Sequence, residues 1–429
     1  MSLCINKHAN IDNARECTTC HLPIIDYREE IDKLKQLLSK KSVFARPKVA
    51  TVYYGIGGHG CATVRQLQNL TPTSPRISFC YLDSSTEDLS RISEGNSSII
   101  TYSVGSINTG SAVFCGLGEM AAARDDGLVD QLYRSGCREP DENQILFFVS
   151  ALGGGTGSGL GPQIVAACKR INSKSTTIAI SVLPSANEPP QAHFNAYYGV
   201  SKLLAVDNIP LTEMLVLLDH DRLRQTRGVG KGGSELKMES IVTAFLKLLG
   251  VTFTHTSLIP ISKTLTGLGI QAVIPCLAMG RSVNIFGSLT NVLDSALVVP
   301  LAPLEPSRVT FSCLLLSIPQ RLGHMFPANG VSQEFQGWNV KHFPGLRASE
   351  FQIAQTEELS DRVDCCILLG GNSLDSTMNK AIKGFESFKG FCDASMEVGQ
   401  WANCGLSPEK VKLAEETVRQ YDFRLSIGS

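Results

Sequence analysis

From residue 49 onward, short apolar runs alternate with glycine-rich turns and helical stretches. The runs at 49–55, 77–83, 145–151, 177–183 and 214–219 are continuously apolar rather than alternating, the pattern of strands covered on both faces. Between them apolar residues recur at helical spacing. That succession predicts an α/β fold, a mostly parallel sheet with helices on both faces. Residues 234–249 predict a long helix with an apolar stripe, entered through the glycine-rich turn 228–233. Beyond it, 272–277, 309–318 and 362–369 read as strands of a second, smaller α/β unit. Residues 407–422 predict a closing helix, with Ser407 suited to the N-cap and Pro408 to the first helical position. Upstream, Ile31, Leu34, Leu37 and Leu38 recur among charges and predict an amphipathic helix over 24–41, followed by a linker.

Composition narrows the function classes. The 429 residues carry 39 Lys+Arg against 40 Asp+Glu, a net charge of −1. That balance argues against a dedicated nucleic-acid binder, which carries a basic excess. No run approaches the ~18 apolar residues of a membrane span, and residues 1–11 lack a hydrophobic signal core. The 14 cysteines then read as reduced thiols of a cytoplasmic protein. Cys61, Cys80, Cys168, Cys313, Cys365 and Cys366 fall in apolar patterns and are expected in the core.

Two glycine clusters carry candidate chemistry. The first, Gly55-Ile56-Gly57-Gly58-His59-Gly60, follows the first strand and precedes a helix. Glycines there let backbone N–H groups approach phosphate oxygens at a helix N-terminus. Taken alone it satisfies a dinucleotide fingerprint, with Asp83 at the end of the next strand as the ribose-binding acid, so an NAD-linked enzyme stays open on this loop. A tight turn without a ligand stays open as well. The second cluster, Gly153-Gly154-Gly155-Thr156-Gly157-Ser158-Gly159, follows the 145–151 strand. Five glycines in seven residues make a nest of backbone donors. Thr156 and Ser158 add hydroxyl donors, and no acid is near in sequence to repel a phosphate.

The second cluster resembles the signature loop of the tubulin/FtsZ superfamily, where it holds the phosphates of GTP. The resemblance continues in order over about residues 48–294. It implies a Rossmann-like parallel-sheet GTP-binding domain at 47–233, a long central helix at 234–250 and a smaller α/β C-terminal domain at 251–429. The remainder is a Cys/His-rich extension at 1–22 and the amphipathic helix and linker at 23–46. By the same resemblance, Gly57, Gly58, His59 and Gly60 form the first phosphate loop. Asp83 and Ser84 lie near phosphates and magnesium. Gly110-Ser111-Ala112, with Gly116-Leu117-Gly118 behind it, flanks the gamma-phosphate, and Glu188 binds ribose. Asp219, His220 and Glu239 meet guanine. The cofactors implied are GTP or GDP with Mg²⁺, and the partner is the next copy of the chain in a head-to-tail protofilament.

The departures from the family are specific. His220 stands where the family places a guanine-pairing Asn, and a neutral imidazole offers one donor or one acceptor, not both. The family keeps catalytic carboxylates just after the central helix, yet from Ser240 to Leu293 there is no Asp or Glu. Water orientation needs such a group or a substitute. His255 is the titratable side chain of that segment suited to the role, and a solvated loop histidine is the other reading. Hydrolysis is therefore expected to be weak or to depend on a second tubulin/FtsZ-like protein that supplies an acidic loop. A division role of the bacterial kind is not assured, because little sequence follows residue 422 to act as an adaptor-binding tail. At the N-terminus, Cys17-Thr18-Thr19-Cys20 has zinc-knuckle spacing, and Cys4 with His8 or His21 would complete four ligands. Reduced thiols on an N-terminal arm are the alternative.

Overall fold

The computed structural model describes residues 2–3, 9–10, 49–71, 74–93, 100–105, 114–137, 144–204, 211–225, 237–253, 255–298, 300–356, 361–395 and 399–428. Residues 2–3 and 9–10 pair as a two-residue antiparallel ribbon. The other strands are β1 Ala50–Ile56, β2 Ile77–Asp83, β3 Ile100–Ser103, β4 Gln144–Ala151, β5 Thr176–Leu183, β6 Met214–Asp219, β7 Ala272–Ser282, β8 Phe311–Pro319, β9 Ala348–Thr356 and β10 Arg362–Gly370. They form a single 10-stranded sheet in the order β9-β8-β10-β7-β6-β5-β4-β1-β2-β3. From β3 to β7 every neighbour is parallel. β10 then runs antiparallel to both β7 and β8, and β9 closes the edge parallel to β8.

Helices of eight or more residues are α1 Gly57–Leu70, α2 Thr86–Ser93, α3 Cys115–Ala123, α4 Gly161–Ile171, α5 Pro190–Leu204, α6 Met238–Thr252, α7 His255–Gly267, α8 Leu289–Leu297, α9 Ala328–His342, α10 Asn379–Ala394 and α11 Pro408–Gly428. The central strands are apolar along their length because both faces are covered, and β5 is buried at every residue. Two apolar cores result. The larger lies around β1–β6, and the smaller joins β7, β8 and β10 to α8 and α9.

Aromatic pairs fix the strands that carry both glycine clusters. Tyr53 stacks on Phe147 with ring centroids 4.9 Å apart, and Tyr54 stacks on Phe148 at 5.1 Å. Both are register partners of β1 and β4. Such pairs contribute about 0.5–1.5 kcal/mol each beyond their buried area. They hold the two strand ends level, side by side.

The central helix α6 starts beside the C-terminal ends of the strands and runs back along the sheet. Its described part begins at Met238 and continues to Thr252, two residues past the expected end. Residues 24–41, 228–233 and 234–236, expected as helix, turn and helix start, lie outside the described residues. Strands β3 and β9 were not expected from the sequence. The seam between the two halves of the sheet is short: Leu215 pairs with Ala272 and Val216 with Val273. The hydroxyl of Tyr421, from α11, reinforces that seam by accepting the N–H groups of Gln271 at 3.2 Å and Ala272 at 3.0 Å.

Candidate functional site

Both glycine clusters sit at the C-terminal ends of adjacent parallel strands, the usual ligand position in such sheets. Gly57 has φ +71°. That left-handed conformation lets β1 turn directly into α1 without an intervening loop. After β4, a single π-helical turn, Thr156–Leu160, leads into α4. The glycines fall into two groups. A Cβ on Gly60 would overlap the carbonyl oxygen of Val149, on Gly157 that of Ala151, and on Gly159 that of Cys115. These positions are glycine because backbone packs on backbone. A Cβ on Gly58 or Gly154 would instead meet nothing within 4 Å. Those two face open space.

That space is a cleft of about 310 Å³, walled by Gly57–His59, by Gly154–Gly157 and by Asp83, Ser85 and Asp88. Acids therefore do reach the second glycine cluster, contrary to its sequence surroundings: the hydroxyl of Thr156 donates to Asp83 Oδ1 at 3.5 Å. The strand-end loop of β2 folds across to β4, a juxtaposition that sequence distance conceals. Asp83 also accepts the Ser85 N–H at 3.1 Å, and burial, with Asp88 nearby, pushes its carboxyl above the ordinary range. Ser84 and Thr156 share a hydrogen bond of 2.9 Å. The Ser158 hydroxyl is turned away, donating to the Gly154 carbonyl at 2.6 Å, so it shapes the loop rather than lining the cleft.

His59 and Glu239 meet at the head of the central helix, with Nδ1 3.6 Å from Oε1. The His59 imidazole beside it holds the Glu239 carboxyl down at about 2. The Nε2 atom of His59 is buried without a hydrogen-bond partner. Behind the second cluster, Asn195 of α5 donates to the Gly153 carbonyl at 2.9 Å and accepts the Cys115 N–H at 3.1 Å. Sequence reasoning missed this residue, since an asparagine inside an apolar helix carries no motif. Glu188 accepts the Ser185 N–H at 2.7 Å, and a Cβ on Gly153 would lie 3.0 Å from its Oε2. The carboxylate thus borders the loop.

At the end of β6, Lys380 of α10 bridges Asp219 at 3.1 Å and Asp221 at 2.7 Å. Despite partial burial, hydrogen bonds from Lys380 and Ser185 hold the Asp221 carboxyl well below its usual range. Asp219 is therefore engaged by a lysine and by the Arg222 N–H. His220 keeps a buried Nδ1 without a hydrogen-bond partner, 3.9 Å from Asp221. Gly116 and Gly118 lie within α3 and serve close packing: Gly116 abuts the Cys404–Gly405 turn, and Gly118 abuts the Gly155 carbonyl.

Gly110, Ser111, Ala112, Cys4, His8, Cys17, Cys20 and His21 lie outside the described residues. Among the described residues no three His, Cys, Asp or Glu side chains gather as a metal site. The described cysteines named above are buried. No helix among the described residues is long and apolar enough to cross a membrane. His255 is the first residue of α7, one helix length from the cleft. The 15 residues of α6 between them rise about 22 Å.

Residues 50–226 match the family model described as Tubulin/FtsZ family, GTPase domain. Over those residues the chain is similar to the tubulin/FtsZ family. The chain is 23% identical over 211 residues to cell division protein FtsZ 1 of Pyrococcus woesei, covering 48% of the chain and 50% of that relative. The match thus spans about half the relative's length. Among solved structures, CetZ of Methanosaeta thermophila superposes with a TM-score of 0.61 at 14% identity, covering 87% of this chain and 99% of that one. The TubZ protofilament of Bacillus thuringiensis serovar israelensis, in a GTPγS form, gives 0.61 at 14% identity, covering 85% and 98%. The strand order β3-β2-β1-β4-β5-β6 also occurs in dinucleotide-binding folds. The family match favours the nucleoside triphosphate reading of both loops over the NAD reading.

Proposed function

We propose that the chain is a GTP-binding cytoskeletal protein of the cytoplasm that assembles head to tail into filaments, with hydrolysis that is weak or dependent on a partner. The carrying observation is the pair of open glycines, Gly58 and Gly154, both lining one cleft at the strand ends. Phosphate groups are bound there by backbone N–H groups at two helix starts, which costs no side-chain ordering. The residues present fit a nucleotide with Mg²⁺: two main-chain cradles for phosphates, and Asp83 and Asp88 as oxygen donors for the cation. The buried Asp83 carboxyl, pushed up by desolvation, is the kind of group that a divalent cation relieves. When bound, Mg²⁺ supplies charge neutralisation for the phosphates.

Thr156 orients Asp83 through its hydroxyl, Asn195 holds Gly153 in place, and Glu188 borders the ribose end. Guanine contacts fall to His220 and Glu239, since Asp219 is engaged by Lys380. In this reading the α6–α7 corner of one subunit covers the nucleotide of the next, a head-to-tail, non-closing interface. His255 belongs to that corner. With no carboxylate from Ser240 to Leu293, the corner is poorly equipped to orient water. A partner chain with an acidic loop would restore hydrolysis, and His255 acting as base is the second reading.

The test is equilibrium binding of GTP, ATP and NAD, with filament sedimentation and phosphate release followed over rising protein concentration. Tight GTP binding, GTP-dependent sedimentation and slow release are expected. Binding of NAD without GTP overturns the assignment. Fast, concentration-dependent release by the chain alone overturns the weak-hydrolysis part.

A further inference from the structure

A second cavity, of about 590 Å³, shares no lining residue with the nucleotide cleft and lies where α5, α10 and α11 meet the turns 305–308 and 373–376. One wall carries Tyr197 of α5, which is 6% exposed. Its hydroxyl has no hydrogen-bond partner among the described residues, and it is not among the polar atoms sealed from solvent. Buried tyrosines normally satisfy that group within the protein. A phenol left open to a cavity and bonded to nothing points to a ligand. We propose that this cavity binds an aliphatic ammonium ligand of the diamine class, with an ammonium held between the Tyr197 hydroxyl and the carboxylates of Asp375 and Asp422. The inference is independent of the nucleotide reading above.

The sign of the ligand's charge follows from how the cavity's own charges are paired. Arg308 is taken by Glu305, with Nε 2.7 Å from Oε2. Asp422 accepts the N–H groups of Leu374 at 2.7 Å and Asp375 at 3.1 Å, which brings two acidic residues together at the start of the 374–377 turn. Asp375 is exposed, and no cation among the described residues pairs with it. Burial, with Asp375 beside it, pushes the Asp422 carboxyl above its ordinary range, although the two N–H groups and Arg308 oppose this. Burial also pushes the Tyr197 phenol up, and the carboxylates of Glu415, Asp375, Asp422 and Glu386 add to the effect. The Tyr197 end of the cavity is therefore acidic, and a cation entering it relieves an existing repulsion. An ammonium brings three donors, enough for one phenol oxygen and two carboxylates.

The same cavity offers surface for an alkyl chain. Arg419, Asp422, Phe423 and Ser426 fall three, four and seven residues apart on one face of α11, and all line the cavity. Phe423 is 61% exposed, an aromatic ring that methylene packing or a cation–π contact would cover. The Tyr197 ring is held in place by Phe385, with centroids 4.0 Å apart. Arg419 brings the opposing charge, and a zwitterion with its carboxylate at that residue is the competing ligand. A solvated junction of three helices is the plain alternative.

Calorimetric titration of the full chain with putrescine, at low salt and without nucleotide, separates these. Saturable one-site binding is expected, and it should weaken as salt is raised. Tyr197→Phe keeps the ring and removes the hydroxyl, so it should bind about fivefold more weakly. Asp375→Asn should lose about tenfold. Both variants should melt no lower than wild type and keep its GTP affinity, since neither residue lines the nucleotide cleft. Butanediol, of the same length without charge, should not bind. No saturable putrescine binding by wild type overturns the proposal. So does equally tight binding by both variants, which would place the amine elsewhere on the surface. Tighter binding of gamma-aminobutyrate than of putrescine, lost in Arg419→Gln, overturns the diamine class in favour of the zwitterion.

Discussion

Asn195 donates its side-chain amide to the carbonyl oxygen of Gly153 at 2.9 Å, pinning the start of the second glycine cluster to the middle of α5. Its own amide oxygen accepts the first N–H of α3. One fully buried side chain therefore sets the distance between the phosphate cradle and the helix behind it. Asn195→Leu leaves a carbonyl and an N–H unpaired in the interior, which costs about 1–3 kcal/mol. A lowered Tm together with weakened GTP binding is expected. A variant with wild-type Tm and affinity would show that the loop holds its shape without this residue.

The two groups of glycines predict opposite phenotypes. Gly58→Val and Gly154→Val place side chains in open space, so the protein should keep its Tm and lose nucleotide affinity by at least about tenfold. Gly157→Ala and Gly159→Ala force backbone apart and should fail to fold stably. Gly155 belongs with the second group, because its Cβ would lie 2.6 Å from the Phe114 carbonyl oxygen. Thermal melts beside binding isotherms check all five. Loss of folding at Gly58 or Gly154 would refute the division.

Much of this was legible beforehand. Strands β2 and β6 begin and end where the apolar runs do, because continuous burial leaves a continuous signal. β9 was missed because it is an edge strand, half-buried along its length and built from polar and apolar residues in mixture. β3 was missed because four residues beginning with a solvent-exposed isoleucine carry too little pattern. The glycine loops announced the site through composition. Asn195 did not, since what brings it to the site is the packing of separate elements rather than local sequence.

Asp83→Asn should separate stability from function. The buried carboxyl is pushed up, so its ionised form is a burden on the unliganded fold near neutral pH. The amide keeps an acceptor for Ser85 N–H and Thr156. A higher Tm without nucleotide and a reduced dependence of GTP binding on Mg²⁺ are expected. A lower Tm, or unchanged Mg²⁺ dependence, contradicts this.

The Glu239 carboxyl is depressed from 4.5 to about 2 in the fold. A depressed acid stabilises above its unfolded value, and that contribution is lost as pH falls through the folded value. The window is therefore from about 4.5 down to about 2. Wild type should lose more stability across it than Glu239→Gln does, as read by urea midpoints at successive pH values. Parallel curves for the two proteins would mean that His59 does not stabilise the carboxylate.

Removing the Lys380 ammonium leaves Asp219, 3% exposed, facing Asp221 without a cation. Lys380→Met should cost about 1–3 kcal/mol, discounted because the lysine side chain is itself 40% exposed. Adding Asp221→Asn should recover part of that loss. A double variant no more stable than the single one would show that the two carboxylates do not repel.

Tyr421 closes the seam at Gln271 and Ala272 across 150 and 149 positions of sequence. During synthesis, β6 and β7 leave the ribosome long before the hydroxyl that ties down those N–H groups. At about 5–20 residues per second, the joint between the halves waits roughly 8–30 seconds for its bolt. Over that interval the nascent strands expose an unfinished edge, where a chaperone, or another nascent copy, can bind before the chain's own last helix does.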